Sequence, residues 1–529
     1  MSDAKFYRAA IVTALAAVLI MTCGAAGVQK LPEKPPGQYF PLKAERHEGT
    51  SSFEAGQPVV GTTYFYWYDI RSKAHIINGD GTDALTTHPA DMNDISYLSV
   101  SWHRQQMADM IDAGIDFLMP VFWGVPRDYG GWSFAGLGPM VEAHGQLERE
   151  GKRPPAIGLF YDTSILSWNS YGEGGRRYHV DLATEFGKEW FYTAARDFFS
   201  LVPPGKWARV DGCPIVFLYG ASFAKRQGEG QLEHFERRFE EDFGIEPFVV
   251  KNADWQGEAD ATYSWGGAVN GPLLFRHTVS LGPGYDHSAV PGRSPLVVDR
   301  GDGRTYVDRW LKVFALHPRH RPWMVHVETW NEWHEGTDIA HSAEYGRSYI
   351  VLTELFSDMW RAKVHLPPAG SYGGAERVSW RPGASKGVAI RPSGGDGVWR
   401  RKEVGGVAAA VSAANPHSDA SRYLYFNVDD AFAFDLFDRA VQVTIAYYDA
   451  GCDRFGIEYD NVDATKGARE GAFRAGGQAE VGQTEQWKTA ILPLGRCRFM
   501  NRCNGADFRI TVFGGDMSLA VREVVVEKQ

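Results

Sequence analysis

From residue 328 the chain reads Glu328-Thr329-Trp330-Asn331-Glu332-Trp333-His334-Glu335-Gly336-Thr337. Three carboxylates, an imidazole, an amide and two indoles leave one short apolar run, Met324 to Val327, together. Glu332 and Glu335 stand three apart. On a helical turn that spacing faces both side chains one way, with Cβ atoms ~5–6 Å apart. Glycosidic cleavage needs such a pair: one carboxyl holds a proton for the leaving oxygen, and the other is ionised. Like charges crowded beside indole rings raise one pKa and divide those roles. A solvated turn is the bland reading, and Trp330 and Trp333 are odd residues for one. A calcium site of carboxylates and carbonyls is another. Metal ligation of the HxxE kind does not fit, because His334 and Glu335 are adjacent and no second histidine follows four residues on. No metal and no cofactor is therefore expected.

Elements that must position these residues fill the middle of the chain. From about Val59 to Trp360, apolar runs alternate with helical patterns. Strands are expected at Val59–Tyr66, Phe117–Phe122, Ala156–Tyr161, Ile215–Tyr219, Phe248–Lys251, Ala261–Trp265, Val279–Leu281 and Met324–Val327. Amphipathic helices lie between most of them. About eight such units in about 300 residues favour a (β/α)₈ barrel over an open doubly wound sheet. Neither GxGxxG after the first strand nor GxxxxGK[ST] occurs, which disfavours nucleotide binding. The strand ends share a pattern: Tyr64, Tyr66, Trp67, then Trp123, Asp162, Tyr219, Trp265, and finally Tyr285 and Asp286. In a barrel these ends form the active-site face. With Trp330, Asn331 and His334 they make the candidate binding set of a sugar-sized cleft.

Trp330-Asn331-Glu332-Trp333-His334-Glu335-Gly336-Thr337, followed by Glu344-Tyr345-Gly346, resembles glycoside hydrolase family 99 and its relatives. So do Gly282-Pro283-Gly284-Tyr285-Asp286 and the opening Tyr64-Phe65-Tyr66-Trp67-Tyr68. The resemblance runs from about Pro58 to Trp360. It implies a barrel acting on α-mannosides with retention and without a metal. By resemblance Glu335 is the general acid/base, and Glu332 helps the sugar 2-hydroxyl attack its own anomeric carbon. Tyr285 belongs near the reacting sugar. Two features depart from the family: Asp338-Ile339-Ala340-His341 after the motif, and the insert Ile70–Tyr97 with His75, Asp80, Asp83, His88, Asp91 and Asp94. The insert reads as a surface loop, with a lid or a calcium loop as alternatives. Two other functions stay open: a silent glycan-binding protein, and a glycosidase whose nucleophile is Asp162 or Asp286.

The ends of the chain are of other kinds. Lys5 and Arg8, the apolar run Ala9–Met21 and the small residues after it order themselves as an export signal, 1–27. Cys23 is a candidate for lipidation, the one membrane attachment expected. Residues 28–57 form a lead-in, 58–365 the barrel and 366–420 a Gly/Pro-rich linker. Residues 421–529 alternate as strands of a jelly-roll-like β-sandwich, which binds carbohydrate or simply packs on the barrel. Of the 17 tryptophans only Trp380, Trp399 and Trp487 lie beyond Trp360, which weakens the binding reading. Cys497 and Cys503 flank a short loop and are candidates for a disulfide. A net charge of −10 with no basic block excludes nucleic acid as a main partner. The expected partner is a poly- or oligosaccharide met by an exported monomer.

Overall fold

The computed structural model describes residues 30–43 and 53–529, apart from 295, 414–421, 437–438, 464 and 468–470. The export signal and Cys23 lie outside the described residues. Runs rich in β-branched and aromatic residues form eight parallel strands. They are β1 (Val59–Tyr64), β2 (Phe117–Phe122), β3 (Leu159–Tyr161), β4 (Cys213–Leu218), β5 (Phe248–Asn252), β6 (Ala261–Tyr263), β7 (Thr278–Leu281) and β8 (Met324–Val327). They pair in the order β6-β5-β4-β3-β2-β1-β8-β7. Around them lie α1 (Val100–Asp112), α2 (Leu137–Arg149), α3 (Glu185–Leu201), α4 (Gln231–Phe243), α5 (Arg304–Phe314) and α6 (Ser348–Arg361).

The sheet is nearly a closed barrel. Between β6 and β7 no ladder forms among the described residues, and the seam is bridged by Thr278 Oγ1 donating to Thr262 O at 2.6 Å. The strand–helix alternation is thinnest here. Loop 253–260 replaces a helix after β5, and the single turn Gly267–Asn270 replaces one after β6. Inside, Phe160, Phe217, Tyr263 and His326 pack ring on ring. Burial pushes His326 down to about 3, so it is neutral there. Its Nε2 lies 2.6 Å from Thr63 Oγ1.

Many tryptophans serve the core. Trp190, Trp207, Trp310, Trp330, Trp333 and Trp360 are all fully buried. The lead-in is ordered where it is described: Leu31, Tyr39, Phe40 and Leu42 pack on the barrel core, and Tyr39 N–H donates to Ser200 O at 3.0 Å.

The C-terminal part is two antiparallel sheets around an apolar core. One joins Arg377–Arg381, Val407–Ser412 and Val441–Tyr448 through the long last strand Ala520–Lys528, with Trp487–Leu494 added on the far side of Val441–Tyr448. The other runs Val388–Ile390, Arg422–Val428, Phe508–Phe513, Arg454–Tyr459, Arg474–Glu480. The expected linker 366–420 needs correction: five strands between Arg377 and Ser412 already belong to these sheets. Its glycines make tight turns instead of a tether, as at Gly383 with φ 86° and Gly406 with φ 74°. The disulfide expectation fails too. Cys497 and Cys503 are separate free thiols, bonded through sulfur to Leu494 O and Phe473 N–H respectively. The sandwich docks on the barrel through Asp435, whose carboxylate accepts from His317 N–H and lies 2.8 Å from His320 Nδ1. Among the described residues no helix is long and apolar enough to cross a membrane.

Candidate active site

The strand register decides which residues reach the top of the barrel. Leu281 of β7 lies beside Val327 of β8, so Gly282 and Glu328 leave the sheet side by side. The approach is close: a Cβ on Gly282 would sit 2.1 Å from Glu328 O. The chain after β8 then folds back over the barrel mouth as an irregular loop, with no helix between Glu328 and Ser348.

Two motif residues are used to hold that loop. Asn331 is fully buried; its Oδ1 accepts from Phe65 N–H at 2.8 Å and its Nδ2 donates to Phe65 O at 2.7 Å. The amide thus acts as a one-residue strand partner for the continuation of β1. Trp330 turns inward, and its Nε1 donates to Gln106 of α1 at 2.7 Å. Neither contacts open space.

Glu335 reaches the cleft. Its carboxylate accepts from Arg293 Nη1 at 2.5 Å. Glu332 lies beneath it, nearly sealed. One Glu332 oxygen faces His334 Nδ1 at 2.9 Å, and the other is buried without a hydrogen-bond partner. Burial pushes the Glu332 carboxyl up, against the pull of His334. The far side of His334 meets a carbonyl, with Nε2 2.7 Å from His75 O. A carbonyl can only accept, so Nε2 carries a proton, and Nδ1 shares one with the Glu332 carboxyl. Burial works against a charged ring, but the Glu332 carboxylate outweighs it and the ring's pKa rises.

His75 comes from the insert, which is no plain surface loop. Thr86 N–H donates to Trp333 O, Thr86 Oγ1 to His334 O, and His88 bonds Glu344. Trp67 stacks flat on His75, with ring centroids 4.6 Å apart. The insert therefore clamps the Glu332–Glu335 loop from outside. Among the described residues no group of three or more His, Cys, Asp and Glu is placed to hold a metal ion.

The cleft has a volume of about 270 Å³, at the low end for small-molecule sites. Tyr219, Trp265, Tyr285 and Glu335 of the candidate set line it, with Glu328, Arg293 and Thr337. The others lie elsewhere. Tyr64 and Tyr66 are fully buried toward the helices, their hydroxyls bonding His103 Nδ1 and Ser133 O. Asp162 accepts from Trp123 Nε1 at 2.6 Å and caps the turn at Ser164. Asp286 caps Ser288 N–H.

Glu328 opens the motif but is not among the candidate residues; it is the first residue past β8. It is almost wholly buried, yet it borders the cleft. Its oxygens accept from Gly266 N–H and Ala268 N–H. Burial nonetheless pushes it up to about 7, with those N–H groups and Arg309 pulling the other way. In the unfolded chain it titrates near the ordinary value of 4.5. The folded state therefore binds the extra proton between those values. Its stability contribution is full below about pH 4.5 and is lost as pH rises through about 7, roughly 3 kcal/mol in all. Denaturant titrations from pH 4 to 8 should show that slope in the wild type and a flatter one in Glu328→Gln.

Parallel strands ringed by helices, with a cleft at their carboxyl ends, define an α/β barrel. The chain belongs to the family described as a domain of unknown function, DUF5010, whose model matches residues 48–368. No curated protein matches it. Among solved structures it is similar to a GH99 endo-alpha-mannosidase from Bacteroides thetaiotaomicron. That match has 15% identity and a TM-score of 0.42, covering 59% of this chain and 99% of that one. An alpha-L-fucosidase from Vibrio sp. strain EJY3 matches at 8% identity and TM-score 0.35, over 89% and 97%. A non-crystalline cellulose specific carbohydrate-binding module, CBM28, matches at 15% identity and TM-score 0.17, over 27% and 85%.

Proposed function

We propose that this is an exported glycoside hydrolase cleaving a poly- or oligosaccharide with retention, Glu335 acting as acid/base and Glu332 as the base beside it. The observation that carries the reading is the pairing of unlike carboxyls. Glu335 is open to the cleft, while Glu332 is buried with an oxygen that no protein group fills. An orphaned buried acceptor is costly unless a ligand supplies the donor, and a sugar hydroxyl is such a donor. Glu332, held by His334, takes the 2-hydroxyl proton as that oxygen attacks the anomeric carbon. Glu335 gives its proton to the leaving oxygen as the glycosidic bond breaks. Water then opens the strained intermediate, with both carboxyls restored. Tyr219, Trp265 and Tyr285 supply the ring faces a pyranose packs on.

Asp162 and Asp286 serve this reading less well as nucleophiles, because each carboxylate is spent on capping. The resemblance to family 99 makes α-mannan the first glycan to try. Products from α-mannans and other polysaccharides should keep their anomeric configuration, followed by NMR during turnover. A 2-fluoro sugar should label no carboxylate. Inverted products, or a labelled aspartate, would sink the substrate-assisted scheme.

A further inference from the structure

Three arginines surround the cleft, and two are fixed by backbone carbonyls. Arg300 donates to Gly336 O and Asp338 O and pairs with the Asp338 carboxylate. Arg309 donates to Ala268 O and Gly282 O. Arg293 differs. It rides on the loop after Tyr285, its side chain is 47% exposed, and it is the cation that lines the cleft. Only its Nη1 is engaged, with Glu335 Oε1 at 2.5 Å and more distantly with the Tyr285 hydroxyl at 3.5 Å. Its Nε and Nη2 have no partner among the described residues. A guanidinium carries five donors in a planar fork. Here Nη1 is used, and the Nε–Nη2 edge is left to a ligand at the cleft wall that Arg293 lines.

We propose that Arg293 reads a negative group on the glycan, so that the cleft takes a sugar bearing a carboxylate or a sulfate ester next to the bond that is cut. A planar fork matches two oxygens of one anion, which a pyranose hydroxyl does not offer. The cleft as it stands balances one guanidinium against the Glu335 carboxylate. An anionic substituent that takes Arg293 breaks that pair and frees the Glu335 carboxyl, the added charge being balanced by a proton taken up from solvent. Resting on the hydrolase reading, this exchange solves a problem of that reading. An acid must be free to face the leaving oxygen, and the Glu335 carboxylate is engaged by Arg293. The substrate's own charge frees the acid, and a neutral sugar cannot do so as well.

Tests on the full chain would use four glycans: polygalacturonate, its carboxyl-reduced form, a sulfated galactan and neutral α-mannan. Calorimetry reports binding and a reducing-end assay reports cleavage, for the wild type, Arg293→Gln and Arg293→Lys. At least one anionic glycan is expected to bind about tenfold or more tighter than the neutral ones, the effect of one charge-assisted pair. The better of polyuronate and sulfated galactan identifies the anion. Arg293→Gln should erase the preference, and Arg293→Lys should keep part of it. Neutral and anionic glycans treated alike, or a preference that survives Arg293→Gln, would overturn the proposal. Arg293-dependent binding without cleavage would leave the anion site standing and remove the hydrolase reading. Cleavage of neutral mannan alone would do the reverse, and no binding at all would remove both.

Discussion

Glu335→Gln is expected to abolish turnover while leaving the fold intact. The side chain lies at the cleft wall, beside the half-exposed Arg293 and the Tyr285 hydroxyl. The amide is isosteric and can still accept a hydrogen bond from Arg293. Stability should therefore change little, since exposed pairs contribute about 0–1 kcal/mol. Activity is another matter. A positioned proton donor contributes on the order of 10²–10⁴-fold, and glutamine has no proton to give. The diagnostic is the leaving group. An aryl glycoside whose phenol needs no proton should keep much of its bond-breaking rate in the variant, whereas a natural glycan should lose nearly all of it. Wild-type turnover of the glycan by Glu335→Gln would remove Glu335 from the mechanism.

Asn331→Ala should show the opposite pattern, with stability falling first. The asparagine's two hydrogen bonds to Phe65 are both fully buried. Its loss leaves a backbone donor and a backbone acceptor unsatisfied, at about 1–3 kcal/mol each. A loss of roughly 2–4 kcal/mol in denaturant unfolding is expected. Asn331→Asp is the sharper control. It can still accept from Phe65 N–H, but it sets a carboxylate oxygen against Phe65 O. An equally large loss there would show that both halves of the amide matter. If Asn331→Ala unfolds like the wild type, the loop is held by something else.

These two residues show how sequence and structure divide. Tyr219, Trp265 and Tyr285 are legible by one rule, that strand ends of a parallel barrel face the site, and Glu335 by its spacing from Glu332. The same rule misplaced Tyr64 and Tyr66. Side chains alternate along a strand, and their parity points at α1 while that of Thr63 points at His326 inside the barrel. Trp330 and Asn331 read as ligand contacts because polar and aromatic residues of a motif look alike on the page. Which of them are consumed in holding the loop is a matter of tertiary contact. Arg293 had no signal at all, for it stands in a loop without periodicity, brought to Glu335 by the antiparallel contact of Asp286 N–H with Glu335 O at 2.8 Å. Composition also hid the first strands of the sandwich, where glycine-rich turns looked like a tether.

The seam between β6 and β7 lies directly under the cleft. Trp265 follows the strand on one side of it and Tyr285 the strand on the other. On the proposed function, a sugar lodged between those rings would close the barrel where the backbone leaves it open, as a clasp closes a bracelet. Part of its binding energy would thereby be converted into mechanical integrity of the whole cylinder. An empty molecule should breathe along that line, and an occupied one should not.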